Sequence, residues 1–354
     1  MKINKPSFVV DRKKAVSNIK KIFEKAKKNN ISLRPHFKTH QSAMIGEWFR
    51  EFGIDKITVS SIDMAKYFYQ NGWSDITIAF PLNILEIDEI NNCFEYCNLN
   101  LLVCDEDTVL AMGEKLKRNV NVFIEIDMGM NRSGIYYNNF TIIENLIETI
   151  THFTHLKFKG FITHNGETYN LNKEQVKENY YKIINNIKLL KNRFGNSIVF
   201  SIGDTPTVSI VEEFDDSIDE IRPGNFIYYD LMQYFIGSCK LDEIAAYVIA
   251  PVVSVDKEQG KIVLYCGAVH LSKESIKLED KNIYGQIILI NDGEIKYTNN
   301  YIISLSQEHS VIKRKDDLLD GIKVGDLVGI LPVHSCLVAA IFKDKINIMD
   351  AINE

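Results

Sequence analysis

Leu33-Arg34-Pro35-His36-Phe37-Lys38-Thr39-His40 reads as a short strand that gives out into a loop at Lys38. Pro35 has no backbone N–H for a sheet ladder and favours an extended residue before it. In an extended backbone His36, Lys38 and His40 alternate onto one face. A lysine crowded by two imidazoles and Arg34 sheds its proton more easily than a free one, because desolvation and neighbouring positive charge both disfavour the ammonium form. That is the condition for a lysine that attacks a carbonyl and forms a Schiff base. An isolated lysine in such a loop is ordinarily a surface residue, so its meaning depends on what the rest of the chain builds around it.

What surrounds it is a regular alternation. Residues 7–11 (SFVVD) read as a strand, and 12–30 carry helical periodicity through Val16, Ile19, Ile22, Phe23 and Ala26. Short apolar runs then occur near 31–37, 56–60, 75–80, 100–103, 120–126, 157–163, 197–202 and 218–221. Helical stretches lie between and after them, near 41–52, 62–71, 84–97, 106–117, 138–153, 172–194 and 205–213. Strand and helix alternating at this spacing mean parallel strands with crossover helices. Eight repeats predict a closed (β/α)₈ TIM-type barrel, a fold of about 250 residues. An open doubly wound sheet is the alternative; no G-x-G-x-x-G follows an early strand, which argues against its dinucleotide-binding form.

After about residue 240 long helical patterns give way to β-rich runs: AAYVIAPVVSVD, KIVLYCG, GQIILI, YIISLS, DLVGILPVHS and CLVAAIF. Turn signals separate them at Gln259-Gly260, Asn291-Asp292-Gly293 and Gly325-Asp326. The expected organisation is a strand in 1–10 that joins the C-terminal domain, a barrel over 11–238, and a mainly antiparallel β domain over 239–354. With 45% hydrophobic and 25% charged residues, the chain suits a soluble globular protein of this size. A net charge of −6 points away from nucleic acid and anionic membranes. No apolar run approaches the roughly 18 residues of a membrane span, and the N-terminal stretch lacks a signal-peptide core. Six cysteines in 354 residues are too few for a disulfide scaffold. The expected compartment is the cytoplasm.

In such a barrel the chemistry collects at the C-terminal ends of the strands. Strand 1 ends at Lys38, strand 5 in 125–134 (EIDMGMNRSG), strand 6 in 163–169 (THNGETY), strand 7 in 201–207 (SIGDTPT) and strand 8 in 220–225 (EIRPGN). The last two loops are where barrels of this kind cradle phosphate. They supply Gly203, Thr205 and Thr207, then Gly224 and Asn225. Glycines let backbone N–H groups approach an anion, and hydroxyls complete the shell. Gly-Asp-Thr-Pro-Thr alone is also an ordinary helix-capping turn. Both loops together, with a lysine after strand 1, point to a phosphate-bearing aldehyde held beside an amine, which is pyridoxal phosphate. Arg132 and Arg222 are either cationic donors to that cofactor or barrel-top salt bridges with Asp127 and Glu220. His164 either stacks on the cofactor ring or caps a strand, and Tyr169 has the same two readings.

A second constellation is Pro332-Val333-His334-Ser335-Cys336. On a strand His334 and Cys336 point to one side, and imidazole with thiolate suits zinc while leaving positions open for substrate and water.

Arg34-Pro35-His36-Phe37-Lys38-Thr39-His40 resembles the cofactor-lysine motif of the D-threonine aldolase and D-serine dehydratase family, pyridoxal-phosphate enzymes with an alanine-racemase-like, fold type III barrel. The stretches 203–207, 220–225 and 332–336 match further motifs of that family in the same order, and the similarity spans nearly the whole chain. The resemblance implies Lys38 as the amine that anchors the cofactor and the 203–207 and 224–225 loops on its phosphate. It implies His334 and Cys336 as ligands of a divalent metal near the substrate: zinc, or alternatively manganese or magnesium. Similarity with the racemase branch puts Arg222 at the pyridine nitrogen and Arg132 at the phenolate side. Two departures stand out: dehydratase relatives tend to carry a second histidine where this chain has Glu167, and the stretch 266–273 (CGAVHLSK) is unlike the named enzymes.

The implied activity is a lyase on a D-configured β-hydroxy-α-amino acid. The thiolate ligand favours β-elimination of the D-serine dehydratase type over retro-aldol cleavage of the D-threonine aldolase type. A racemase would need a second base across the ring, and no racemase tyrosine motif is found. A non-catalytic cofactor carrier is ordinarily a lone barrel. The expected assembly is a homodimer.

Overall fold

The structure is a computed structural model that describes residues 3–291 and 294–349. By its internal contacts the chain divides into two compact units. One holds Lys20–Lys38 and Ser42–Gly224; the other holds the described residues up to Ile19, Thr39–Gln41, and those from Asn225 onward.

The chain opens with β1 (Ser7–Val10), a strand of the second unit, and α1 (Arg12–Lys28). The first unit then lays down β2 (Ser32–Leu33), α2 (Ala43–Arg50), β3 (Lys56–Val59), α3 (Ile62–Gln70), β4 (Asp75–Pro81), α4 (Ile87–Cys93), β5 (Asn98–Val103) and α5 (Glu106–Lys115). It continues through β6 (Val120–Asp127), the short β7 (Ile135–Tyr136) at its end, α6 (Phe140–Thr151), β8 (Leu156–His164), α7 (Lys173–Phe194), β9 (Val199–Gly203), α8 (Thr205–Ile210) and β10 (Glu220–Ile221). All eight expected barrel strands form. They pair in parallel in the order β2-β10-β9-β8-β6-β5-β4-β3. A His36–Thr58 bridge spans the remaining gap between β2 and β3: Phe37 N–H donates to the Thr58 carbonyl at 2.8 Å and Thr58 N–H to the Pro35 carbonyl at 2.9 Å. The helices begin where short polar side chains satisfy otherwise unpaired N–H groups. Ser42, Ser61, Asp105, Asn172 and Asp204 each accept a backbone N–H three residues on.

One buried ion cluster ties the first strand into this barrel. Arg34 Nε donates to Glu220 at 2.8 Å, and Arg34 Nη1 pairs with Asp75. Arg34 and Glu220 are only 6% and 5% exposed, so each charge depends on the other. Removing one partner of such a pair strands the other in low dielectric at a cost of about 3–5 kcal/mol. Arg34→Met is therefore expected to lose about that much stability in urea unfolding. Burial pushes the Asp75 carboxyl up, but Arg34, Asn98 and Asn100 outweigh it and hold it below the usual carboxylate range. A depressed folded pKa stabilises above the unfolded value and loses that effect as pH falls through the folded one. The gap between wild type and Arg34→Met should therefore narrow below about pH 4.

The second unit continues with α9 (Leu231–Ile236), β11 (Ala246–Asp256), β12 (Lys261–Tyr265), α10 (Ala268–Leu271), the hairpin β13 (Ile276–Leu278) and β14 (Lys281–Ile283), and β15 (Gly285–Asn291). It closes with β16 (Glu294–Leu305), β17 (His309–Lys313), β18 (Leu327–Pro332), α11 (Ser335–Ile341) and β19 (Ile346–Ile348). The pairings β11-β12-β17-β16-β15-β18 return to β11, making a ring of six antiparallel strands. β1 extends that sheet, running antiparallel to β11 with Phe8 opposite Val248, and β19 pairs with β1 in parallel. The Gly260 and Gly325 turns take positive φ, +59° and +95°, as their glycines allow. Of the third turn signal, Asp292 and Gly293 lie outside the described residues.

Two expectations fail here. The CLVAAIF run is not a strand: Ser335–Ile341 is α11, with Val338 and Ala339 buried. His334 and Cys336 accordingly do not share one strand, because β18 stops at Pro332 and His334 is the residue at which α11 begins. Local β preference is overruled by a tertiary anchor: Asp230 Oδ2 accepts the Ser335 N–H at 2.9 Å and the Ser335 hydroxyl at 3.2 Å, fixing the first turn.

Candidate active site

The C-terminal ends of the barrel strands surround a cleft of about 330 Å³. Lys38 reaches it after β2, Glu125 from β6, Arg132 from the loop behind β6, His164 from the last position of β8, and Arg222 just past β10. Leu102 and Ile162 give it an apolar wall, with Phe80 and Pro81 alongside. This is where a (β/α)₈ barrel assembles chemistry from different strands.

The surroundings of Lys38 differ from the expected alternation. The backbone turns after His36, so 37–40 is a turn and the three side chains do not share an extended face. Arg34 is neutralised by Glu220 and Asp75 and does not press on the lysine. His36 does line the cleft with Lys38, and its Nδ1 accepts the Lys38 N–H at 3.4 Å. The cationic company of Lys38 is Arg132 and Arg222, brought in from other strands.

His164 donates its Nδ1–H to the Gly203 carbonyl at 2.6 Å. Burial, then the charges of Lys38, Arg132 and Arg222, push its pKa down to about 3, so the ring is neutral. Arg222 is 4% exposed and held on two sides: Nε donates to Ser201 Oγ at 2.8 Å and Nη2 to the Thr163 carbonyl at 2.7 Å. Burial pulls its pKa down to about 10, against the pull of Glu220 and Glu125. The salt-bridge partners differ from those expected. Glu220 pairs with Arg34, and Arg132 sits 3.8 Å from Glu125. Asp127 instead accepts the N–H groups of Gly129 and Asn131. Tyr169 lies half-buried in the 3₁₀ turn Gly166–Asn170 and is not among the residues lining the cleft.

The turn between β9 and α8 packs tightly on Arg222. A Cβ on Gly203 would come within 3.1 Å of the guanidinium carbon, so a side chain there would displace it. Asp204 caps α8, its Oδ2 accepting the Thr207 N–H at 3.0 Å and the Thr207 and Thr168 hydroxyls. Thr205 is left over: its hydroxyl is buried and has no hydrogen-bond partner among the described residues. A buried unpaired hydroxyl is costly unless a ligand completes it. Together with the close backbone at Gly203, it fits an anionic oxygen. Gly224 follows Arg222 and Pro223 on the neighbouring strand end. The Asn225 side chain belongs to another cluster.

That cluster lies in the second unit. Asn225 Nδ2 donates to Asp230 Oδ2 at 2.6 Å, to Ser335 Oγ at 3.1 Å and to Cys336 Sγ at 3.3 Å. Thr39 Oγ1 shares a hydrogen bond with the same sulfur at 3.3 Å. Burial pushes the Cys336 thiol up, but the hydrogen bond and charge of His334 outweigh it and lower it. Burial pulls His334 down, but Cys336, then Asp230 and Glu274, hold it at about 9. The His334 ring and the Cys336 sulfur thus sit side by side, although not on a strand. His334 Nδ1 is buried and without a hydrogen-bond partner among the described residues. An unpartnered ring nitrogen beside a cysteine sulfur fits a borderline-soft divalent metal, which both residues bind in their deprotonated forms. No group of three metal-binding side chains gathers among the described residues, so such a metal would keep open positions.

Sequence reading missed Glu125 and Asp230 as parts of these clusters. Glu125 had a visible signal, a charge within the apolar strand FIEID. Asp230 had none toward Ser335, which lies 105 positions away.

Residues 10–231 match the family "Alanine racemase, N-terminal domain", and residues 245–346 match the "Putative serine dehydratase domain". A D-serine dehydratase of Dictyostelium discoideum is 29% identical, the match covering 97% of this chain and 92% of that one. A D-threo-3-hydroxyaspartate dehydratase of Delftia sp. (strain HT23) is 25% identical over 96% of this chain and 93% of that one. The solved structure of a D-threo-3-hydroxyaspartate dehydratase cysteine mutant, in the metal-free form, superposes with a TM-score of 0.87 at 24% identity, covering 96% of this chain and 93% of that one; this likeness is one of fold.

Proposed function

Because this chain belongs to the family of the alanine racemase N-terminal domain, we propose that it is a pyridoxal-phosphate- and metal-dependent lyase that eliminates the β-hydroxyl of a D-configured β-hydroxy-α-amino acid. The observation that carries the reading is the cleft that gathers Lys38, His164 and Arg222 at the strand ends, together with a buried, unpartnered hydroxyl on Thr205 in the turn after β9. The serine dehydratase match over the second unit and the dehydratase names of the similar proteins support it.

Pyridoxal phosphate supplies an electron sink for the pair left at Cα. Lys38 would hold the cofactor's aldehyde, and its amine would serve as the base for the Cα proton. Gly203, Thr205 and Gly224 would take the phosphate, joined by the backbone of Asn225, whose side chain is committed to the other cluster. The neutral ring of His164 would support the cofactor's face; Tyr169, outside the cleft lining, is left without a part. Arg222, already fixed by Ser201 and Thr163, would hold the pyridine nitrogen side, where its cation would disfavour a proton on that nitrogen. Arg132 serves the phenolate side. His334 and Cys336 hold the metal, a Lewis acid that helps a bound hydroxyl depart. The thiolate favours zinc over manganese or magnesium. The proposed assembly is a homodimer and the proposed compartment the cytoplasm, where six free cysteines stay reduced.

The test is product analysis of the metal-loaded holoenzyme with D-serine, D-threonine and D-threo-3-hydroxyaspartate. Elimination yields a 2-oxo acid and ammonia in equal amounts. Glycine with an aldehyde would replace this reading by an aldolase, and α-proton exchange with the amino acid retained would replace it by a racemase.

A further inference from the structure

The lining of the cleft carries three cations, Lys38, Arg132 and Arg222, and a single acid, Glu125. It is 5% exposed and carefully held. Its Oε2 accepts the Cys104 thiol at 3.3 Å, and its Oε1 lies 3.8 Å from Arg132 Nη2. Burial, and then the charge of Glu125 itself, push the Cys104 thiol up, so it stays a protonated donor. The returning loop is shaped around this carboxylate. Gly134 has φ +94°, and a Cβ there would come within 3.0 Å of Glu125 Cγ. Lys38 and Arg222 are committed, the first by the lyase reading and the second by its hydrogen bonds to Ser201 and Thr163. Arg132, which the lyase reading puts at the phenolate side, keeps a side chain 53% exposed; it is the most open cation of the lining and the one an incoming carboxylate can still reach, and Glu125 stands beside it.

The geometry points to Glu125 as the specificity residue of the cleft: its carboxylate occupies Arg132 and repels a second carboxylate on the substrate, so the site selects β-hydroxy amino acids with an uncharged side chain, the D-serine class, over D-threo-3-hydroxyaspartate. This rests on the lyase reading and goes beyond it by naming the substrate class. Specificity here comes from a repulsive element as much as from an attractive one.

The experiment compares kcat/KM for D-serine and D-threo-3-hydroxyaspartate in wild-type, Glu125→Gln and Glu125→Asp holoenzymes. Wild type should favour D-serine, Glu125→Gln should move the ratio toward the diacid by about tenfold or more, and Glu125→Asp, which keeps the charge, should restore the preference. A change confined to folding or cofactor affinity would shift both substrates alike and leave the ratio fixed, which would overturn the assignment. Should Glu125→Gln not fold, the wild-type holoenzyme decides the matter through spectral titration with D-alanine and D-aspartate, which lack the leaving hydroxyl. D-alanine must bind more tightly; equal or tighter binding of D-aspartate overturns the assignment. If wild type turns over neither hydroxy acid, the lyase reading fails, while the D-alanine and D-aspartate comparison still judges Glu125 separately.

Discussion

Lys38→Ala should lower elimination by at least about a thousandfold and should abolish the visible absorbance of the lysine-bound cofactor. The size follows from two roles falling on one side chain. In the proposed mechanism the amine anchors the cofactor next to the substrate, and the same nitrogen serves as the base for the Cα proton. Of the residues lining the cleft, Lys38 is the one lysine, so no neighbouring amine takes over. Arg222 cannot substitute: it is tied to Ser201 and Thr163, and with a pKa near 10 it stays protonated at neutral pH. Lys38→Arg should behave like Lys38→Ala in rate, because a guanidinium does not form the carbonyl adduct. Full activity in either variant, read by 2-oxo acid release, would remove the lysine from the mechanism.

Cys336→Ala should have an effect of similar size by a different route. It is expected to strip the bound metal, lower elimination by about a thousandfold, and leave the cofactor absorbance intact. The sulfur is where the second cluster converges: His334, Asn225 and Thr39 all address it. His334→Ala should lose metal in the same way, since two protein ligands leave little affinity once one is gone. Metal analysis alongside absorbance separates the clusters. Lys38→Ala keeps its metal and loses the chromophore; Cys336→Ala keeps the chromophore and loses its metal. A metal-free Cys336→Ala protein with wild-type turnover would show that the His334–Cys336 pair has no part in the reaction. For wild type, chelation should reproduce the loss and added zinc should reverse it.

Much of the fold was legible in the sequence, and for an identifiable reason. Strands such as Val120–Asp127 and Leu156–His164 are apolar runs bounded by turn residues, and helices such as Lys173–Phe194 start at polar caps. Both signals are local. Even the two-residue strands Ser32–Leu33 and Glu220–Ile221 could be placed by the rhythm around them. The H-x-C segment was misread because its run of apolar residues is equally good strand or buried helix, and the choice is made by Asp230 from far along the chain.

The polar pairings were the least legible part. Arg34 meets Glu220 because β2 lies beside β10, with Ser32 opposite Glu220. That register is a property of the closed barrel and not of either segment. The same closure frees Arg222 from Glu220 and leaves it to Ser201 and Thr163. Motif reading found the cleft residues by their place at strand ends; it could not say which arginine would be buried and which half exposed.

The most direct measurement is borohydride reduction of the cofactor-loaded protein followed by peptide mass mapping. The pyridoxyl label is expected on the peptide that contains Lys38, with loss of activity in step with labelling. A label on any other lysine, or an unlabelled protein that still releases 2-oxo acid from D-serine, would contradict the placement of the cofactor at the end of the first barrel strand.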